Sequence, residues 1–98
     1  MTTINLLQIA AAIPEAWRST VVGRAANANV KVLRMDGGAY PEEVHGFDEA
    51  LLVLEGQMNL HMEGHVLPVH QGEVIIVPAG QPHAVVSGSH GTLVIIDH

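Results

Sequence analysis

GGAYPEEVHGFDEALLVLEG, residues Gly37–Gly56, and GEVIIVPAGQPHAVVS, residues Gly72–Ser87, are the two stretches that decide how this chain folds. The first runs Gly37, five residues, Glu43-Val44-His45, three residues, Glu49, six residues, Gly56. The second runs Gly72, five residues, Pro78-Ala79-Gly80, two residues, His83, three residues, Ser87. Each sets an apolar, β-branched run beside Gly or Pro, the residues that supply the unusual or fixed φ of tight reversals. A histidine stands just outside an apolar run in both.

Outward from these stretches the same texture continues. Short β-prone runs lie near Ser19–Val22, Val30–Met35, Ala50–Leu54, Gln57–Met62, Val66–Val69, Val74–Val77, His83–Val86 and Thr92–Ile96. Between them fall Asp36-Gly37-Gly38, Glu55-Gly56, Glu63-Gly64, Gln71-Gly72, Pro78-Ala79-Gly80 and Ser87-Gly88. Many short strands at close spacing predict an all-β sandwich or barrel. Met58, Leu60 and Met62 alternate with Asn59, His61 and Glu63, so that strand buries one face. Val74–Val77 is apolar on both faces, which predicts cover from a second sheet or another subunit. Before Pro14, Leu6, Ile9, Ala10 and Ile13 form one stripe of a short helix, with Thr3 placed to cap it and Pro14 to end it. Ile4–Ile13 has no basic residue before it, so a helix accounts for it better than a secretory leader.

Bulk properties narrow the function. Ninety-eight residues predict one domain spanning 1–98, its core motifs within 37–87. The net charge is −6, with only Arg18, Arg24, Lys31 and Arg34 positive. No clustered basic surface exists for nucleic acid or an anionic membrane, so neither partner is expected. No apolar run approaches the roughly 20 residues of a membrane span. With no cysteine there is neither a disulfide frame nor a thiolate site, and a cytoplasmic location is the expectation. An apolar fraction of 48% on so short a chain predicts a homodimer that covers part of it.

The two quoted stretches resemble the paired motifs of the cupin superfamily, whose first carries His-x-His and then Glu, and whose second carries Pro-x-Gly and then His. Every spacing agrees. Two positions depart: Glu43 stands where the first His is usual, and Ser87 where Asn is usual. The resemblance covers about half the chain and implies a double-stranded β-helix, or jelly-roll barrel, of the small single-domain kind. It further implies one divalent metal ion, Mn, Fe, Zn or Ni, held in the barrel by His45, Glu49 and His83, with Glu43 at the fourth ligand position. A small molecule is the implied ligand, and dioxygenase, isomerase and lyase activities all occur in the superfamily, as do non-catalytic binding or sensing modules. A barrel whose metal site has decayed is a further reading, supported only by Glu43.

The residues themselves permit such a site. On a strand, Glu43 and His45 can point the same way, about 7 Å apart, whereas His45 and Glu49 would lie about 13 Å apart on a straight strand. The chain must therefore turn between them, and Gly46 with Asp48 supplies turn-prone residues. His45, Glu49 and His83 compose a two-His, one-carboxylate triad that leaves coordination positions open. With Glu43 added, two carboxylates and two neutral imidazoles cancel a 2+ charge, a shell that favours a harder ion such as Mn or Fe. Glu43 is equally readable as ligand, acid/base group or exposed carboxylate beside Glu42. His61, His65, His70, His90 and His98 read as surface residues. Trp17, Tyr40 and Phe47 are candidates for the barrel mouth or for the core.

Overall fold

The computed structural model describes all 98 residues: one short helix and eight strands in a single curled sheet. Helix α1 (Leu6–Ala12) is followed by β1 (Thr20–Ala25), β2 (Ala28–Asp36), β3 (Tyr40–Glu43) and β4 (Glu49–Met62). Then come β5 (His65–His70), β6 (Val74–Val77), β7 (His83–Val85) and β8 (His90–Asp97). The sheet runs β1-β2-β8-β4-β7-β3, with β5 and β6 also paired to β4, and all pairings are antiparallel. This is the curled all-β architecture expected of a jelly-roll barrel.

Strand β4 organises the curl. The sequence reading divided it into two strands at Glu55-Gly56; the structure joins them into one strand of 14 residues. Its first part pairs with β6 from Glu49 to Leu52, and its second part pairs with β5 from Gln57 to Met62. A bulge against β8 between Val53 and Glu55 separates the two. One extra residue reverses which parity faces inward. Glu49, Leu51 and Val53 are buried before the bulge, and Met58 and Leu60 after it. The chain here bends without stopping. Gly56 and Gly91 sit opposite each other at this bend, with φ of +89° and +105°. A Cβ on Gly56 would collide with the His90 carbonyl, and one on Gly91 with the Glu55 carbonyl, so backbone crowding requires glycine at both.

The inner face is a core of Leu33, Met35, Leu51, Val53, Met58, Leu60, Val69, Val77 and Leu93. The helix covers the outer face of β2, where Ala10, Ile13 and Val32 pack with Leu6, Ile9 and Val22. All four residues of the predicted helical stripe lie in that cluster. The cap is a correction: Asn5, not Thr3, accepts the Gln8 N–H at 3.0 Å. The helix then ends at Ala12, one residue before the Ile13 C-cap and two before Pro14. On β6, Ile75 packs on the core and Val77 is buried, while Val74 and Ile76 stay 55% and 58% exposed on the other face. No helix is long and apolar enough to cross a membrane.

Candidate metal centre

Glu43, His45, Glu49 and His83 reach one place by three routes. Glu43 ends β3 and lies directly across from His83, which opens β7, in the antiparallel register. Glu49 opens β4, on the same inward parity as Leu51 and Val53. His45 stands between β3 and β4, where the chain bends at Gly46 and Phe47. The Pro78–Gln81 turn braces that bend. Gln81 N–H donates to the Pro78 carbonyl at 3.2 Å, and Gly80 N–H to the His45 carbonyl at 2.8 Å. Asp48 accepts the Ala79 N–H at 2.9 Å. Gly80 takes φ +80°, a region L residues seldom occupy, so this turn requires it. Phe47 stacks on the His45 ring with centroids 5.0 Å apart and planes 11° from parallel.

The four side chains converge through their tips. His45 Nε2 lies 3.2 Å from Glu43 Oε2 and 3.8 Å from Glu49 Oε2. His83 Nε2 lies 3.2 Å from Glu49 Oε1. Ligand atoms of Glu43, His45 and His83 all fall within 4.8 Å of one another. Glu49 and His83 are each only 6% exposed. His83 Nδ1 is 3.0 Å from the Gln81 carbonyl, an acceptor only, so Nδ1 carries the proton. In the neutral ring that leaves the Nε2 lone pair aimed at the Glu49 carboxylate. Two acceptors at that distance repel unless a proton or a cation lies between them. Burial pushes the Glu49 carboxyl above its ordinary value, against the pull of the His45 and His83 rings, with Asp97 and Glu43 adding to the rise.

These residues fit a divalent ion. A neutral imidazole whose far nitrogen donates to a backbone carbonyl is the usual state of a metal-ligating histidine. Carboxylates and imidazoles together suit Mn, Fe, Zn and Ni. Glu43 is turned toward His45, with its side chain 39% exposed, while its neighbour Glu42 is exposed. His65, His70, His90 and His98 are exposed and His61 half-buried; none belongs to the cluster.

A cavity of about 150 Å³ opens beside the cluster, and all four residues line it. Trp17 and Tyr40 line it too, with ring centroids 6.1 Å apart. The Trp17 indole N–H donates to Asp36 at 2.7 Å, which is the main cause holding that carboxyl below its ordinary value. Phe47 does not line the cavity; it backs His45. Two further lining residues, Lys31 and Asp97, were not anticipated from the sequence. The available signal was strand parity. Lys31 shares a face with Leu33 and Met35, and Asp97 shares one with Leu93 and Ile95.

Comparison with known proteins agrees with this fold. Among solved structures, the chain is similar to a cupin-2 domain containing protein from Shewanella frigidimarina NCIMB 400, with a TM-score of 0.86 at 20% identity over 96% of this chain and 92% of that one. It is similar to protein NMB1881 from Neisseria meningitidis, with a TM-score of 0.83 at 30% identity over 98% of both. Among curated proteins, it is 31% identical over 77 residues to quercetin 2,3-dioxygenase of Bacillus subtilis (strain 168). That match takes in 74% of this chain and 23% of the dioxygenase, so the chain spans less than a quarter of that relative's length. The Cupin domain family matches residues 31–98, more than half of the sequence, and the chain belongs to that family.

Proposed function

We propose that this cupin binds one divalent transition metal ion through His45, Glu49 and His83, with Glu43 as the fourth ligand, and uses it to bind or transform a small molecule. The observation that carries the reading is His83 Nε2 facing Glu49 Oε1 at 3.2 Å while Nδ1 of the same ring lies 3.0 Å from the Gln81 carbonyl. A cation between the two nitrogens and two carboxylates turns this repulsion into attraction, and the donor set balances its charge. The ion would supply Lewis acidity and open coordination positions. The chain's own residues orient the rings, hold Glu49 in a dry setting and line an apolar cavity.

Relatedness to quercetin 2,3-dioxygenase makes dioxygen-dependent chemistry the first activity to assay. The substrate of that enzyme does not transfer with it. Pockets for drug-sized ligands span roughly 300–1,000 Å³, and a flavonol belongs to that range, whereas this cavity measures about 150 Å³. A smaller molecule is the ligand. The whole chain, 1–98, serves as one domain in this reading, working in the cytoplasm as a homodimer. The exposed Val74 and Ile76, beside Ile96 at 40% exposure, support the dimer as an uncovered apolar strip. Sedimentation at micromolar concentration tests it, and a stable monomer removes it.

The metal reading is tested by titrating chelator-treated protein with Mn²⁺ while following water-proton relaxation. Saturable binding with strong enhancement is expected, because open coordination positions leave exchangeable water on the ion. Binding without enhancement would mean a closed shell and no place for a ligand. Absence of binding would remove the reading.

A further inference from the structure

Charged and titratable side chains line the cavity in two places. One is the proposed metal cluster. The other is Lys31 with Asp97, on β2 and β8. The register sets them beside the cluster: Lys31 pairs with Ile95 and Ile95 with Leu51, two residues along β4 from Glu49. Two strand spacings, about 10 Å, therefore separate the Lys31 backbone from that of Leu51. A lysine side chain reaches over much of this distance, and Lys31, Asp97 and Glu49 all line the same cavity.

Lys31 Nζ bonds Asp97 Oδ2 at 2.8 Å, and Asn29 donates to Asp97 Oδ1 at 3.2 Å. Both Asp97 oxygens are thus occupied, and the Asp97 side chain is 4% exposed. The Lys31 side chain is 24% exposed, and its ammonium spends one of three donors on Asp97. Asp97 is the buried member of the pair and Lys31 the more exposed one, and both line the cavity. An interior ion pair is a poor device for stability, since apolar side chains of similar volume commonly do as well or better. Two unused ammonium donors beside an apolar wall form a seat for an anionic oxygen.

We infer that Lys31, held by Asp97, is a specificity-determining residue that selects small organic acids, its ammonium receiving the carboxylate while Leu33, Leu93 and Ile95 hold the apolar body of the molecule. The inference extends the proposed function by naming the ligand class of the same cavity. It rests on that reading for the opposite wall of the cavity, where the proposed metal cluster lies. Size follows from the cavity: an apolar-lined space of this volume holds benzene, so the ligand is an acid of about that bulk.

Benzoate and benzamide, matched in shape and differing in charge, serve as probes in ligand-observed NMR on the Zn²⁺-loaded protein. Benzoate is expected to bind about ten- to a hundredfold tighter, the range of a charge-assisted hydrogen bond. Lys31→Met alone leaves Asp97 buried without its cation and is expected to lower the melting temperature. The double variant Lys31→Met, Asp97→Leu removes that strain, and it should fold and hold Zn²⁺ as the parent does while losing the preference for benzoate. Equal binding of the two probes by the parent, no saturable binding of benzoate, or an undiminished preference in the double variant would each overturn the inference and leave Lys31 as a mere counter-ion to Asp97. The Zn²⁺ titration of the same samples reports separately on the metal reading. A benzoate preference without Zn²⁺ uptake would remove the metal and keep the acid seat.

Discussion

Glu49→Gln is expected to change stability in opposite directions with and without metal. In the metal-free chain the Glu49 carboxyl is 6% exposed, and burial raises its pKa above the ordinary 4.5 despite the neighbouring imidazoles. The native state therefore holds this proton more tightly than the unfolded chain does. Its contribution to stability is fullest below pH 4.5 and falls as pH rises from there through the raised native value. Above that raised value the buried charge is a cost. Glutamine keeps the shape and removes the charge, and its amide N–H can donate to the His83 Nε2 lone pair that now faces Glu49 at 3.2 Å. One added intramolecular hydrogen bond is worth about 0.5–1.5 kcal/mol net, and each kcal/mol shifts the melting point of a domain this size by about 4–8 °C. With chelator at neutral pH, the variant should melt above the parent by at least the lower of these figures. With free metal at a hundredfold its Kd, the parent gains about 2.7 kcal/mol. The variant gains far less, because a neutral amide oxygen is the weaker ligand. The order of melting temperatures should reverse. Circular-dichroism melts of both proteins, in chelator and in excess Mn²⁺, supply the four numbers required. A variant less stable than the parent in chelator would refute the claim that Glu49 is a buried charge awaiting a cation. An unchanged order in metal would refute its role as ligand.

Substitutions at four other positions separate the parts of the site. His45→Ala and His83→Ala should each weaken metal binding by orders of magnitude in calorimetric titrations while leaving the far-ultraviolet spectrum of the barrel intact. Glu43→Gln should weaken the ion if Glu43 is a ligand, with Glu43→His restoring it; if Glu43 moves protons instead, Glu43→Gln keeps the metal and abolishes any turnover found. Gly80→Val should lower the melting temperature of even the metal-free protein, since a left-handed φ costs a side-chain-bearing residue at least about 1–2 kcal/mol; an unchanged melting point would show that the turn tolerates another backbone.

The quoted motifs were readable because local chemistry dictates them. A reversal at Pro78–Gly80 needs Pro and Gly, and that reversal carries His83 and braces His45. The Glu55-Gly56 pair misled because a bulge and a turn use the same residues. Leu51 and Val53 share one parity and Met58 and Leu60 the other, which reads as two strands unless the extra residue is seen. Strand β3 escaped notice because Pro41 and two glutamates argue against a strand; at the end of the sheet order, where one side has no partner, proline is tolerated. Thr3 and Asn5 are both good caps, and the choice between them depends on where α1 meets β2. Lys31 and Asp97 were hidden for a different reason. They are 66 residues apart, and a charge on a strand reads as facing solvent until the neighbouring strands show which face is inside.

The central claim is that the two imidazoles and the two carboxylates hold a cation. Elemental analysis of the protein, purified with neither added metal nor chelator, tests it most directly. A near-stoichiometric amount of one divalent transition metal is expected in the parent, falling to background in His45→Ala and His83→Ala. Background metal in the parent, with none taken up on later exposure to Mn²⁺, Fe²⁺, Zn²⁺ or Ni²⁺, would contradict the account.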